Sequence, residues 1–313
     1  MNLLAKLDVS AVSATATLAS AIAKIAQTDG DYTTAIQALS LHRRQRPTAP
    51  LHCIFKLGLG VVAQGHKQAM VGDEVVTYGP GQSMLTTIEL PVISHVTHAS
   101  MDEPLLGLML VLDGQEIVQI AAEMQLPRPT RPPAYQPISI ERLDEHLIGD
   151  LVRLIELLGQ PTLVSQLAPL IKREIIIRLL AGPHGPQLQH LVTDGSPSQQ
   201  ISKAVTWLKQ NFAASMQVDA LATRAHMSPS TFRQHFRTIT GTSPIQYQKR
   251  LRLQEARQLM LNQSIDAGNA AGLVGYESPS QFSREYSRLF GAPPVEDVRR
   301  MRLTERNNLS SLQ

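Results

Sequence analysis

Apolar positions recur along this chain in two rhythms. Residues 1–27 form an Ala-rich run that reads as a helix, broken by Asp29-Gly30-Asp31. From 51 to 112 the pattern changes to short apolar runs cut by Gly, Pro and Asp: LHCIFKLGLGVVAQG, QAMVGDEVVTYGPGQ, SMLTTIELPVISHVTH and LLGLMLVLD. Gly72-Asp73 reads as a hairpin turn and Tyr78-Gly79-Pro80-Gly81 as another, and turns at this spacing predict a small β-barrel or jelly roll. Residues 114–126 return to a helical pattern, and 127–137 hold five prolines in eleven positions, a loop. Leu143, Leu147, Leu151, Leu154 and Leu158, widened by Ile148 and Ile155, form one stripe of an amphipathic helix that Pro161 ends. Residues 162–180 predict a second apolar helix, interrupted near Pro169. Such stripes serve a core within one chain more often than a partner. Residues 182–200, rich in Gly, Pro, Ser and Gln, read as a linker between domains 1–181 and 201–313.

The second half contains a repeat. Residues 228–244 read SPSTFRQHFRTITGTSP and 278–294 read SPSQFSREYSRLFGAPP, fifty positions apart. Each copy starts with Ser at an N-cap and Pro at the first helical position, and each stops at Gly, where a left-handed residue closes a helix. Phe232, Phe236 and Ile239 fall at i, i+4 and i+7, one buried stripe. What remains on the other face is Ser230, Arg233, Gln234 and Arg237 in the first copy, and Ser280, Ser283, Arg284 and Ser287 in the second. Arg, Gln and Ser are side chains that reach base edges and phosphates.

A short helix and turn precede each copy, giving helix-turn-helix units over about 218–240 and 265–290; the second turn is one residue longer. Between them, 244–262 predicts a helix of roughly 18 residues, about 27 Å long at about 1.5 Å per residue. Successive major grooves on one face of DNA lie about 34 Å apart, so a rod of this length suits two recognition helices in neighbouring grooves. A single capped helix would signal only a helical bundle; a doubled one with the same Gly…Pro exit signals more.

Charge agrees with that reading. The net charge is +3, but residues 201–313 carry 15 Lys and Arg against 8 Asp and Glu, whereas 1–200 carry 14 against 18. A basic back half suits nucleic acid, although charge alone is also what ordinary surfaces show. A hydrophobic share of 43% supports a sizeable core. One cysteine excludes an intramolecular disulfide, and no apolar run of 18 residues marks a membrane span. Residues 9–26 carry a cleavage-like Ala19-Ser20-Ala21, but their Ala, Ser and Thr content reads as helix rather than signal peptide, so the expected location is cytoplasmic.

With these residues in view, 201–300 resembles the DNA-binding domain of the AraC/XylS family of bacterial transcription regulators. LATRAHMSPSTFRQHFRTITGTSPIQY, RLRLQEARQLM and VGYESPSQFSREYSRLFGAPP carry the resemblance. Residues 41–125 further resemble the regulatory N-terminal domain of one subgroup, through VVAQGHKQAMVGDEVVTYGPGQSMLTTIELPV. The resemblance implies an α+β chain: a cupin-like β-barrel with flanking helices, dimerisation helices at about 141–181, then an all-α domain of two helix-turn-helix units joined by a linker helix. It implies base contacts from Ser230, Arg233, Gln234, Ser280, Gln281 and Arg284. Phosphate contacts are expected from Ser228, Arg237, Lys249, Arg250, Ser278 and Arg288. The implied partners are a double-stranded DNA operator, a small-molecule effector, RNA polymerase for an activator, and a second copy of the chain. Two departures stand out: Asp297 occupies the place of a family aromatic that Tyr247 fills in the first unit, and Gly268 and Asn269 dilute a helix. Both predict weaker docking by the second unit.

Other chemistry is thinner. Ten histidines invite a metal site, but no His-x-His occurs, and His95 and His98 would point to opposite faces of a strand. No cofactor or metal is expected. Cys53 reads as a buried inert thiol, with a sensor thiol as the sharper alternative. The competing function is a cupin-type enzyme with an appended DNA-binding module, and a third is a nonspecific architectural DNA binder. The expected activity is regulatory rather than enzymatic.

Overall fold

The computed structural model describes residues 3–126, 135–193 and 195–310. Most of the proline-rich loop therefore lies outside the described residues. The chain opens with α1 (Leu3–Ile25), β1 (Gly30–Thr33), β2 (Leu39–Arg44), β3 (Leu51–Phe55), β4 (Gly58–Gln64) and β5 (His66–Val71). It continues with β6 (Glu74–Tyr78), β7 (Gln82–Thr86), β8 (Leu90–His98), β9 (Leu105–Val111), α2 (Gly114–Glu123) and β10 (Ile138–Arg142). Two sheets result: six strands in the order β1-β2-β9-β4-β7-β10 and four in the order β3-β8-β5-β6, every neighbour antiparallel. The sheets stack as a cupin-like jelly roll without hydrogen-bonded closure into a barrel. β1 and β2 lie ahead of residue 51, where the strand signals in the sequence begin.

Alternation decides the two faces of the larger sheet. Leu41, Leu59, Val61, Leu85, Leu108 and Leu110 share one face with the helices, and Val62 and Met84 share the other with Tyr78, Val92 and Val96 of the smaller sheet. Gly72 takes φ +58° in the β5–β6 hairpin, the left-handed position that its turn requires. Tyr78-Gly79-Pro80-Gly81 turns the chain from the small sheet to the large one and closes no hairpin.

The helical layer contains α3 (Glu145–Glu156), a 3₁₀ turn (Leu157–Gly159), α4 (Pro161–Ala181) and α5 (Gly185–Val192). Asp144 caps α3 by accepting from Leu147 N, and Leu143, Leu147, Leu151 and Leu154 of the stripe lie buried in one core with Leu18 and Ile22 of α1, Leu158 being partly buried. The stripe thus serves the core of one chain. α4 runs unbroken through Pro169, correcting the expected interruption; Pro169 is exposed, while Ala168 and Ile171 beside it are buried in the core and hold the segment in place. His184, between α4 and α5, is buried with a serine hydroxyl on each ring nitrogen: Ser83 Oγ at 2.8 Å and Ser139 Oγ at 2.9 Å. It pins the helices to β7 and β10. Burial lowers its pKa to about 4, so the ring is neutral at physiological pH.

The remaining chain is helical: α6 (Pro197–Gln210), α7 (Val218–Arg224), α8 (Pro229–Thr240), α9 (Pro244–Asn262), α10 (Ala267–Leu273), α11 (Pro279–Phe290) and α12 (Pro294–Ser310). Residues 182–200, expected as a linker, carry α5 and the first turn of α6. Among the described residues no helix is long and apolar enough to cross a membrane.

Candidate nucleic-acid interface

The two repeats fold alike. Ser228 and Ser278 accept from Thr231 N (3.2 Å) and Gln281 N (3.3 Å), and Gly241 and Gly291 end α8 and α11 at φ +70° and +76°. The turns differ by one residue, as the spacing predicts. Met227 N bonds Ala222 O and Tyr276 N bonds Ala271 O, both at 2.9 Å, so His226 matches Gly275 and Glu277 is the insertion. His226 (φ +51°) and Gly275 (φ +88°) hold the same left-handed corner. At Gly275 a Cβ would meet the Ala213 carbonyl oxygen at 2.1 Å, so this turn admits only glycine.

Phe232 and Phe236 are fully buried with centroids 5.5 Å apart, and Phe282 and Tyr286 repeat that spacing. Tyr247 packs edge-on against Phe236 and donates its hydroxyl to the Glu89 carbonyl of the β7–β8 connection at 2.8 Å. Asp297, its counterpart, is fully buried and accepts from Tyr286 Oη (2.9 Å), Arg257 Nε (2.8 Å) and Arg257 Nη2 (3.0 Å). The aromatic is thus replaced by a satisfied ionic centre. Asp266 caps α10 by accepting from Gly268 N and Asn269 N, which gives those two weak helix formers a defined start.

All six expected base-contact side chains are exposed: Ser230, Arg233 and Gln234 on α8, and Ser280, Gln281 and Arg284 on α11. Arg233 donates to Asp219 of α7 at 3.0 Å. Gln281 donates to Glu285 at 3.1 Å. The expected phosphate contacts divide. Arg237 and Arg288 are exposed, whereas the Ser228 and Ser278 hydroxyls serve as caps. Lys249 is turned onto Glu285 of α11 at 2.7 Å. Arg250 is half-buried, and that burial pushes its guanidinium below the ordinary pKa. Sequence reasoning missed the two carboxylates, Asp219 and Glu285. Glu285 stands four residues after Gln281 on one helix, a spacing that pairs side chains; Asp219 is brought in by the turn.

The helical units rest on the small sheet. Lys209 pairs with Glu89 at 2.7 Å, Gln254 donates to the His52 carbonyl at 2.7 Å, and a Cβ on Gly241 would come within 3.0 Å of Gly72 N. A crevice of about 780 Å³ opens between α2, the β7–β8 connection and α6, lined by Val118, Gln199, Lys203 and Thr206 and bordered by the Lys209–Glu89 pair. Between the sheets, Lys67 lies over the Phe55 ring at 5.9 Å, and burial raises the Cys53 thiol to about 11, so it stays protonated at neutral pH. No group of three or more His, Cys, Asp or Glu side chains is placed to hold a metal among the described residues.

Comparison with known proteins agrees with this architecture. Residues 35–187 match the AraC-type transcriptional regulator N-terminus and 221–300 match a helix-turn-helix domain. The transcriptional activator RhaS of Escherichia fergusonii is 30% identical over 120 residues, 38% of this chain and 42% of RhaS. The RCS-specific activator RclR of Escherichia coli is 41% identical over 59 residues, 19% of this chain and 21% of RclR. The chain therefore spans less than half the length of these curated relatives. Two structures of ToxT from Vibrio cholerae share the fold at 10% identity. An apo form has a TM-score of 0.58 over 85% of this chain and 98% of ToxT. The form bound to an unsaturated fatty acid has 0.59 over 83% and 94%. With a matching N-terminal module ahead of a doubled helix-turn-helix, the chain belongs to the AraC family of transcriptional regulators.

Proposed function

We propose that this protein is a sequence-specific, DNA-binding transcription regulator whose N-terminal jelly roll responds to a small molecule. One observation carries the reading: two capped helices bury equivalent aromatic stripes, and each leaves Ser, Arg and Gln exposed, with Ser230 matching Ser280 and Gln234 matching Arg284. Base discrimination falls to Ser230, Arg233, Gln234, Ser280, Gln281 and Arg284, with Arg237 and Arg288 on phosphates. Lys249 and Arg250 reach phosphate only after leaving their present surroundings. The domains divide as 1–181, a connecting 182–200, and 201–313. The fatty acid bound by ToxT supports a small-molecule effector without naming it. An activator would engage RNA polymerase in the cytoplasm. Exposed Leu163, Leu167 and Leu170 on α4, at i, i+4 and i+7, support a homodimer through that helix.

Sequencing the genomic fragments retained by the purified full-length protein tests the reading. A shared sequence element is expected, with affinity for it about 10³-fold or more above random duplex. Equal retention of all fragments would leave an architectural DNA binder instead.

A further inference from the structure

We propose that Gln281 is an adenine-reading residue and that Glu285 is the positioning residue that fixes which edge of its amide faces DNA. This rests on the regulator reading and names what one side chain of that interface recognises.

The Glu285 carboxylate is the hub of a small network. Its Oε1 accepts from Lys249 Nζ at 2.7 Å and from Gln281 Nε2 at 3.1 Å, and its Oε2 accepts from Tyr276 Oη at 2.8 Å. Burial raises the affinity of this carboxyl for a proton, but the bonds from Lys249, Tyr276 and Gln281 together outweigh it and lower the pKa. An ionised carboxylate only accepts, so the Gln281 group facing it is the amide nitrogen. The carbonyl Oε1 and the second N–H of Gln281 are left for a ligand.

That outward pair has a defined polarity. In the major groove adenine offers the N6 amine as donor and N7 as acceptor, and both are met by a carbonyl beside an N–H. Guanine offers two acceptors, O6 and N7, so the carbonyl would oppose an acceptor; thymine O4 leaves the carbonyl unused, and cytosine N4 leaves the N–H unused. Gln281 lies in the first turn of α11, the part of a recognition helix that meets base edges.

The local sequence would otherwise turn this side chain away. Ser278-Pro279-Ser280-Gln281 has the Ser-x-x-Gln form of a capping box, in which the glutamine reaches back to the N-cap N–H. Here Gln281 bonds forward to Glu285 instead. Lys249, from α9, and Tyr276, from the turn, hold the carboxylate that draws it forward.

The test is selection from a randomised duplex pool at one fixed salt concentration, using full-length wild type, Gln281→Ala and Glu285→Gln. Wild type is expected to show one position biased to adenine by about tenfold or more, the range of a bidentate pair. Gln281→Ala should erase that bias and leave the other positions intact. Glu285→Gln, which lets the amide turn over, should lower adenine preference at the same position alone, a pattern that a merely structural role would not produce. A Gln281-dependent position that prefers another base, no position altered by Gln281→Ala, or an adenine bias unchanged in folded Glu285→Gln overturns the proposal. Should Glu285→Gln not fold, the Gln281→Ala result decides by itself, because that side chain is exposed. A wild type without any sequence preference overturns the regulator reading together with this one.

Discussion

Arg257 and Asp297 form a buried two-pronged ion pair, Nε to Oδ2 at 2.8 Å and Nη2 to Oδ1 at 3.0 Å, that joins α9 to α12 beneath the second recognition helix. Tyr286 of α11 donates to the same carboxylate, and Arg257 also stacks on Phe290 at 4.3 Å. The carboxylate that departs from the family pattern is the tie between three helices.

Removing it should be costly. Asp297→Ala leaves Arg257 buried without its counter-charge, and loss of one partner of such a pair costs about 3–5 kcal/mol. Chemical denaturation followed by tryptophan fluorescence and circular dichroism should show that loss. A change below about 1 kcal/mol would make the network dispensable.

His184 gives a pH dependence. Its pKa in the folded chain is about 4, against an ordinary value of 6.5, so on acidification the unfolded chain takes the proton first. The contribution of the neutral ring is complete above pH 6.5, declines as pH falls toward 4, and is lost below that, about 3 kcal/mol in all. Denaturation midpoints measured across this interval should fall more steeply for wild type than for His184→Gln. Parallel slopes would contradict the buried, neutral ring.

Arg284 and Arg237 should separate by assay. Arg284→Ala is expected to lower binding to the selected element by about 10-fold or more and to spare random duplex, as loss of a base contact does. Arg237→Ala should weaken both and reduce the salt slope by about one. Lys249→Ala should leave the slope unchanged if Lys249 stays on Glu285 in the complex; a drop of about one would show that it transfers to phosphate. Equal losses on both duplexes for Arg284→Ala would remove its base-reading role.

The exposed leucines of α4 bear on assembly. Leu170→Glu places a charge on the most exposed of the three and should shift the protein toward monomer in sedimentation, with little change in thermal stability. A wild-type protein that is monomeric at all concentrations would remove the α4 homodimer.

Much of this molecule is written locally. The repeat at 228–244 and 278–294 specifies cap, apolar stripe and glycine stop within each copy, because N-caps and left-handed stops depend on residues a few positions apart. The short runs from 51 to 112 specify strands for the same reason, and exposure of the six candidate base contacts follows from which face of α8 and α11 carries phenylalanine. The continuity of α4 through Pro169 and the helix inside 182–200 were not legible, because packing against neighbours decides whether weak helical segments persist.

Sequence alone determined that two matching recognition helices exist and which side of each is polar. Only the tertiary structure decided what meets those polar sides. It set Lys249 on Glu285 rather than toward solvent, put Asp297 at a buried junction of three helices, and left Leu163, Leu167 and Leu170 uncovered while the Leu143–Leu154 stripe was buried. The reason is physical: periodicity fixes the direction of a side chain relative to its own helix, whereas its partner comes from another element tens of residues away, set by how the layers pack.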